Sequence, residues 1–340
     1  MQLTANRFRE FYREPEAVFW VFIFPILLAA GLGIAFKNRK PDVTKVAVLS
    51  GAANAPAIRD VIARDSALSP EMLDDSAAAK ALRTGTVALV VAPRADGSVE
   101  YRYDGARPEG RTARTLADIA IQRAAGRTDL VAARDVQITE PGSRYIDFVI
   151  PGLLGMNLMG SGIWGLGFAV VDARKKKLLK RLVATPMSRA EYLTSFLLQR
   201  LSLLIVEVVV LLGFGALAFG VPLRGSLWQL GLICLLSSLA FSALGLLIAS
   251  RAKTMEAASG LMNLVMLPMW ILSGVFFSAT KFPAAIQPVI QMLPLTAVIN
   301  ALRANILQGA GLPDVARYLT VIVAWLVVSF VLALKLFRWR

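Results

Sequence analysis

The chain has 340 residues, 56% of them hydrophobic, with a mean hydropathy of +0.60 and a formal net charge of +14. One cysteine and no histidine exclude an internal disulfide, a cysteine–cysteine metal site, a Ser-His-Asp triad and every histidine-ligated zinc. No G-x-x-x-x-G-K-[ST] phosphate loop occurs, and no RNA- or DNA-binding motif accompanies the positive charge. In a chain this apolar, such charge points to cytoplasmic loops and anionic lipid, not to nucleic acid.

In chain order, residues 1–14 come first. Phe8, Phe11 and Tyr12 fall on one helical side, with Arg7, Arg9 and Arg13 elsewhere, which suits an amphipathic helix in the membrane interface. Pro15 then opens a first span over 15–36, with no charge between Ala17 and Phe36. The run is longer than a signal-peptide core, and no A-x-A site follows it directly, so it reads as a retained span.

Residues 37–144 read as a small extracytoplasmic α/β domain. "KVAVL" (45–49) and "TVALVVA" (86–92) have the look of buried strands, and "SVEYRYD" (98–104) alternates as a half-buried one does. Residues 55–65, 76–85 and 111–126 read as helices, the last two closing on Gly85 and Gly126.

Residues 145–340 hold five further apolar runs: Phe148–Val171, Leu201–Leu223, Gly225–Ser250, Ala257–Thr280 and Tyr318–Leu334. Each is long enough to approach or cross a hydrocarbon core of about 30 Å. Between the last two, 282–303 carries Pro283, Pro288 and Pro294, which break it into short outer helices rather than a seventh span. With six spans and both termini inside, the inner segments carry 16 basic residues and the short outer ones four, as the positive-inside rule asks. The fold class is therefore an α-helical polytopic membrane protein with one small α/β domain after the first span.

Between the second and third runs lies "KKKLLKRLVATPMSRAEYL" (175–193). Leu178, Leu179, Leu182 and Val183 form one apolar stripe on a helix over 173–186, ringed by lysines and Arg181. Thr185-Pro186 stops it, and Ser188 and Glu191 make a capping box for the next helix. Two readings stand: a basic loop lying on anionic lipid, or a rigid lever that docks in a partner.

Glu207 is the only charge well inside a run. It is either hydrogen-bonded span to span, or a substrate contact or gate. Gly152, Gly155, Gly160, Gly162, Gly165 and Gly167 crowd the second run, for close packing or for a flexible pathway-lining helix. The fifth run carries Asn263, Pro268, Ser273 and Gly274. Arg144 and Asp147 are placed for a local ion pair, and Trp20, Trp164, Trp270 and Trp325 for interface or packing roles.

"DARKKKLLKRLVATPMSR" resembles the inner loop of the type-2 permeases of ATP-binding-cassette transporters, with Leu179, Leu182, Thr185, Pro186 and Ser188 at matching positions and lysines in place of that family's usual Gly-Thr. "REPEAVFWVFIFPILLA" (13–29), "DFVIPGLLGM" (147–156) and "FPAAIQPVIQMLPLTAVINALR" (282–303) resemble its first span, second-span entry and outer segment. The large block after the first span marks one subgroup. The resemblance implies a pathway-forming permease in the bacterial inner membrane, paired with a second copy or close relative. It implies separate ATP-binding subunits that carry the ATP and magnesium, so this chain is neither an enzyme nor a cofactor carrier. It makes Leu178, Leu179, Leu182, Thr185, Pro186 and Ser188 the coupling surface. It also implies that the second and fifth spans line the pathway, which makes Gly160, Asn263 and Ser273 pathway candidates; Glu207 joins them as an intramembrane charge, and the apolar spans suit an amphipathic, drug-like or lipid-like cargo. A mechanical signalling subunit, passing motion to an outer domain without transport, is the alternative.

Overall fold

In the computed structural model the described residues are 12–37, 43–94, 96–128, 142, 144–175, 189–252 and 254–336. Most of the expected entry helix 1–14, and Leu178, Leu179, Leu182, Thr185, Pro186 and Ser188, lie outside them. The chain divides into two compact units, Asn38–Gln137 and the remainder.

Helix α1 runs in three pieces, Pro15–Val18, a π turn Phe19–Ile23, and Phe24–Lys37. The smaller unit follows: β1 (Thr44–Leu49), α2 (Ala55–Ile62), β2 (Leu68–Leu73), α3 (Asp75–Thr84), β3 (Leu89–Pro93), β4 (Val99–Tyr103) and α4 (Pro108–Ala124). Its sheet has the order β2-β1-β3-β4, with β1 parallel to β2 and β3, and β4 antiparallel to β3. One face packs Val46, Val48, Leu89 and Val91 against Ala55, Ile62, Ala113 and Ala117 of α2 and α4. The other packs Ala47 and Val90 against Ala78 of α3. Burial on both faces explains why β1 and β3 read as continuous apolar runs rather than alternating ones. Asp74 caps α3 by accepting the Ala77 amide at 2.6 Å, and Gly85 ends it at φ +72°.

β2, "LSPEML", is a strand that the periodicity did not suggest. It pairs on one side only, so Pro70 sits on an edge strand, where a missing amide is tolerated.

The larger unit continues with α5 (Tyr145–Lys175), α6 (Arg189–Phe219), α7 (Leu227–Arg251), α8 (Met255–Leu272), α9 (Gln287–Met292), α10 (Pro294–Gln308) and α11 (Leu312–Leu336). Among the described residues five helices, α5 to α8 and α11, are long and apolar enough to cross a membrane. α1 contributes a shorter apolar stretch, Phe19–Ala35, and α9 with α10 forms a pair bent by 83°. This is a polytopic helical membrane protein carrying a small mixed sheet.

Proline placement explains the bent pair. Pro283, Pro288 and Pro294 each fall at the start of a short helix, where the missing amide costs nothing. α10 is buried nearly all round, from Pro294 through Ile306, and belongs to the core. The run expected to extend to Thr280 leaves the helix at Leu272 and turns at Gly274, φ +82°.

Bundle helices cannot rely on water to drive them together, so close approach matters more than apolar area. The α5–α7 crossing shows this. A Cβ on Gly162 would sit 2.7 Å from Phe241 Cβ, and one on Gly245 would sit 2.6 Å from the Ile163 carbonyl. Each helix thus presents a notch to the other.

Candidate functional site: a buried charge network and uncovered glycines

Glu207 lies on α6 with its side chain 1% exposed. Its partner is Arg200, seven residues earlier on the same helix, whose Nη1 donates to Glu207 Oε1 at 3.0 Å. Seven residues are about two turns, so both side chains share a face, and the long arginine covers the axial distance. The guanidinium also donates from Nη2 to Ser161 Oγ of α5 at 2.9 Å, and from Nε to Ser238 Oγ of α7 at 3.0 Å. Ser161 Oγ lies 3.0 Å from Glu207 Oε2 and 2.8 Å from the Asn157 carbonyl. A hydroxyl has one proton, so Ser161 serves either the carboxylate or the carbonyl at any moment. The network joins three helices through charge-assisted bonds in a low-dielectric interior, where an unpaired charge would be costly.

In the sequence Arg200 stands immediately before the apolar run Leu201–Leu223, as one of the 16 inner basic residues, and the structure turns it into the bundle. An arginine two turns before an intramembrane carboxylate is a signal that could have been read.

The other pathway candidates lie elsewhere. Gly160 of α5 is only half-buried, and a Cβ there would meet nothing nearer than Met266 Cε at 4.0 Å. Gly165 on α5 and Gly260 on α8 are exposed and have no neighbour within 4 Å of such a Cβ. Asn263 on α8 is half-buried; Ser273, just past its end, is buried with its hydroxyl unpartnered. The expected glycine row therefore divides: Gly152, Gly155, Gly162 and Gly167 are crowded, while Gly160 is open beside Met266 of α8 and Gly165 has no neighbour at all within 4 Å. Glu207, joined to Gly160's neighbour Ser161, is the one candidate wired into the network.

At the bundle end that holds Tyr145, Asp147 accepts both Arg144 Nη2 at 2.8 Å and Arg144 Nε at 2.9 Å, the local pair the sequence suggested. Trp325 donates to the Met292 carbonyl at 2.8 Å, tying α11 to α9, and Asn300 is half-buried. Among the described residues no three Cys, Asp or Glu side chains come together as a metal site would need.

The model of the ABC-2 family transporter proteins matches residues 16–335, nearly the whole chain. The chain belongs to that family. Curated relatives agree. The probable multidrug ABC transporter permease YbhS of Escherichia coli K12 is 28% identical over 56% of this chain and 49% of its own length. The E. coli inner membrane transport permease YadH is 27% identical over 58% of this chain and 75% of its own length. ABC transporter G family member 20 of Dictyostelium discoideum is 29% identical over 55% of this chain but 25% of its own length. The chain thus spans a quarter to a half of the first relatives it matches. Membership accounts for the alternating apolar helices and makes this ABC-2 chain a membrane permease.

Proposed function

We propose that this ABC-2 permease forms the translocation pathway of an ATP-driven exporter as a dimer, with a second copy or a close relative. Separate ATP-binding subunits would dock on the coupling segment around Leu178, Leu179, Leu182, Thr185, Pro186 and Ser188. ATP and magnesium would be held by those subunits. Six spans with both termini inside a bacterial inner membrane, and the α/β unit outside, fit the positive-inside count. The cargo class that suits the apolar spans is amphipathic, drug-like or lipid-like.

The observation that carries this reading is the set of small and polar residues left uncovered on α5 and α8. A helix side that faces only lipid is expected to show bulky apolar residues, as α11 does with exposed Val327, Val328, Phe330 and Leu334. Helix α8 also exposes Leu261, Leu264, Leu267 and Ile271, but beside them Gly260 is uncovered and Asn263 half-buried, and on α5 Gly165 is uncovered and Gly160 half-buried. Small and polar residues left uncovered at membrane depth suit a second protein copy or a polar-tolerant path.

The test is ATP-driven uptake of amphipathic dyes into inside-out vesicles. Gly160→Leu fills the open space beside Met266, and it should lower uptake about tenfold, the effect of roughly 1.4 kcal/mol, while ATP hydrolysis continues. Leu182→Asp puts a charge in the docking stripe and should release the ATP-binding subunit. Uptake unchanged by Gly160→Leu would move the pathway off this side of α5. Retained ATPase binding in Leu182→Asp would reduce the basic segment to a lipid-facing loop.

A further inference from the structure

Among the described residues of the bundle, Arg303 of α10 is a second largely covered arginine, and the network above does not use it. Its Nη2 donates to the Gly274 carbonyl at 2.7 Å and to the Phe148 carbonyl at 3.0 Å, and its Nε donates to the Phe148 carbonyl at 3.2 Å. The guanidinium carbon lies 3.5 Å from the centre of the Phe148 ring. Among the described residues it pairs with no carboxylate; Asp147, beside Phe148, is taken by Arg144. One planar fork therefore joins three elements: α10, the start of α5, and the turn that follows α8.

That turn lies along α5 and is fastened at two further points. Tyr145 donates its hydroxyl to the Phe276 carbonyl at 2.9 Å. Gly152 lets the Val275 carbonyl come so close that a Cβ would stand 2.5 Å from it. Gly274 itself takes φ +82°, a conformation that only glycine adopts freely, directly after α8 ends. Val275 is fully buried in this arrangement.

We propose that Arg303 is a positioning residue that locks the turn after α8 onto α5, so that parting the two helices at this end requires its guanidinium to release both carbonyls. This rests on the reading of α5 and α8 as the pathway walls. Bonds to neutral carbonyls are weaker than a buried ion pair and leave no carboxylate stranded when they break. The contact can therefore open and close, with Gly274 absorbing the backbone change. Lysine cannot replace this arginine, because a single ammonium lacks the fork that spans two acceptors.

The test uses Val275→Cys as a reporter, with native Cys234, buried on α7, as an internal control. The purified chain in nanodiscs is treated with a polar maleimide, and both cysteines are followed by peptide mapping. Arg303→Lys and Arg303→Ala should each speed modification of Val275→Cys about tenfold, as a local opening does, with Cys234 still protected. This arm needs no transport and no assigned orientation, so its failure is separate from failure of the pathway reading. In the complex with its ATPase, adding ATP and magnesium should speed the reporter in the parent chain. In Arg303→Lys it should already be fast and no longer respond, although ATP hydrolysis persists. Unchanged reporter rates in both variants, exposure of Cys234 alongside the reporter, or a parent reporter indifferent to ATP would each overturn the proposal.

Discussion

In the α/β unit Arg102 reaches Asp75 at 2.8 Å, and the two side chains keep 43% and 73% of their surface in water. In the bundle Arg200 reaches Glu207 at 3.0 Å, with 17% and 1% exposed. The distances are nearly equal and the energetics are not. Water and salt screen the first pair, and removing it changes little. The second has lost its hydration, so each charge depends on the other and on Ser161 and Ser238. Other pairs of the unit are solvated too, among them Arg59–Asp60, Arg107–Asp104 and a second contact of Arg102, to Glu100. Charge decorates the surface of one region and holds together the interior of the other.

The sharpest way to break this comparison is to strand one charge. Glu207→Leu leaves the Arg200 cation buried and should destabilise the bundle by about 3 kcal/mol. Removing both charges, Arg200→Met with Glu207→Leu, should recover stability to within about 1 kcal/mol of the parent. Arg102→Ala in the α/β unit should change stability by no more than about 0.5 kcal/mol. Thermal unfolding in one detergent compares all three. Should Glu207→Leu unfold no earlier than Arg102→Ala, water must reach the network and the contrast drawn here would fall.

A middle-sized effect separates two glycines two residues apart on α5. Gly162→Ala pushes a methyl to 2.7 Å from Phe241 Cβ, with the Ser242 amide nitrogen at 3.2 Å, and should cost about 1–3 kcal/mol. Gly160→Ala meets only the mobile tip of Met266 and should be neutral or stabilising by up to about 1 kcal/mol, the ordinary helix gain of alanine over glycine. Equal losses would mean that α5 is packed rather than open at Gly160.

Much of this was legible in the sequence because it depends on local pattern. Apolar run lengths marked the membrane helices, a glycine marked the end of α3, and three prolines marked the breaks around α9 and α10, whereas the turn at Gly274 was hidden inside an unbroken apolar run. β1, β3 and β4 showed as apolar or alternating runs, whereas β2 hid behind Pro70 and Glu71, tolerated because its outer side pairs with nothing. The partners of the buried arginines were harder to see. Arg200 sat just outside an apolar run, and only its two-turn spacing from Glu207 carried the information. Arg303 binds the Phe148 carbonyl, 155 residues away, and a backbone acceptor leaves no mark in side-chain sequence. Which glycines of α5 are crowded likewise depends on residues such as Phe241 and Val275 that only folding brings near.

The smallest effect belongs to the α/β unit and is set by pH. Tyr101 on β4 donates its hydroxyl to Asp118 Oδ1 at 3.2 Å, across to α4. Partial burial, and then the negative charge of Asp118, push the phenol up from 10.0 to about 12. The folded state therefore holds the proton more tightly than the unfolded chain does. The resulting stabilisation is complete below pH 10 and is lost as pH rises through about 12, because the unfolded phenol ionises first. Tyr101→Phe removes this titration, so its stability should fall less steeply across that window than the parent's. The parent's tyrosine absorbance should also show one phenol ionising late, absent from the variant. Parallel stability curves between pH 10 and 12 would mean that the Tyr101–Asp118 contact does not hold the proton. Even this titrating polar contact would then be as weakly coupled to folding as the exposed ion pairs around it, and the α/β unit would rest on its two apolar faces alone.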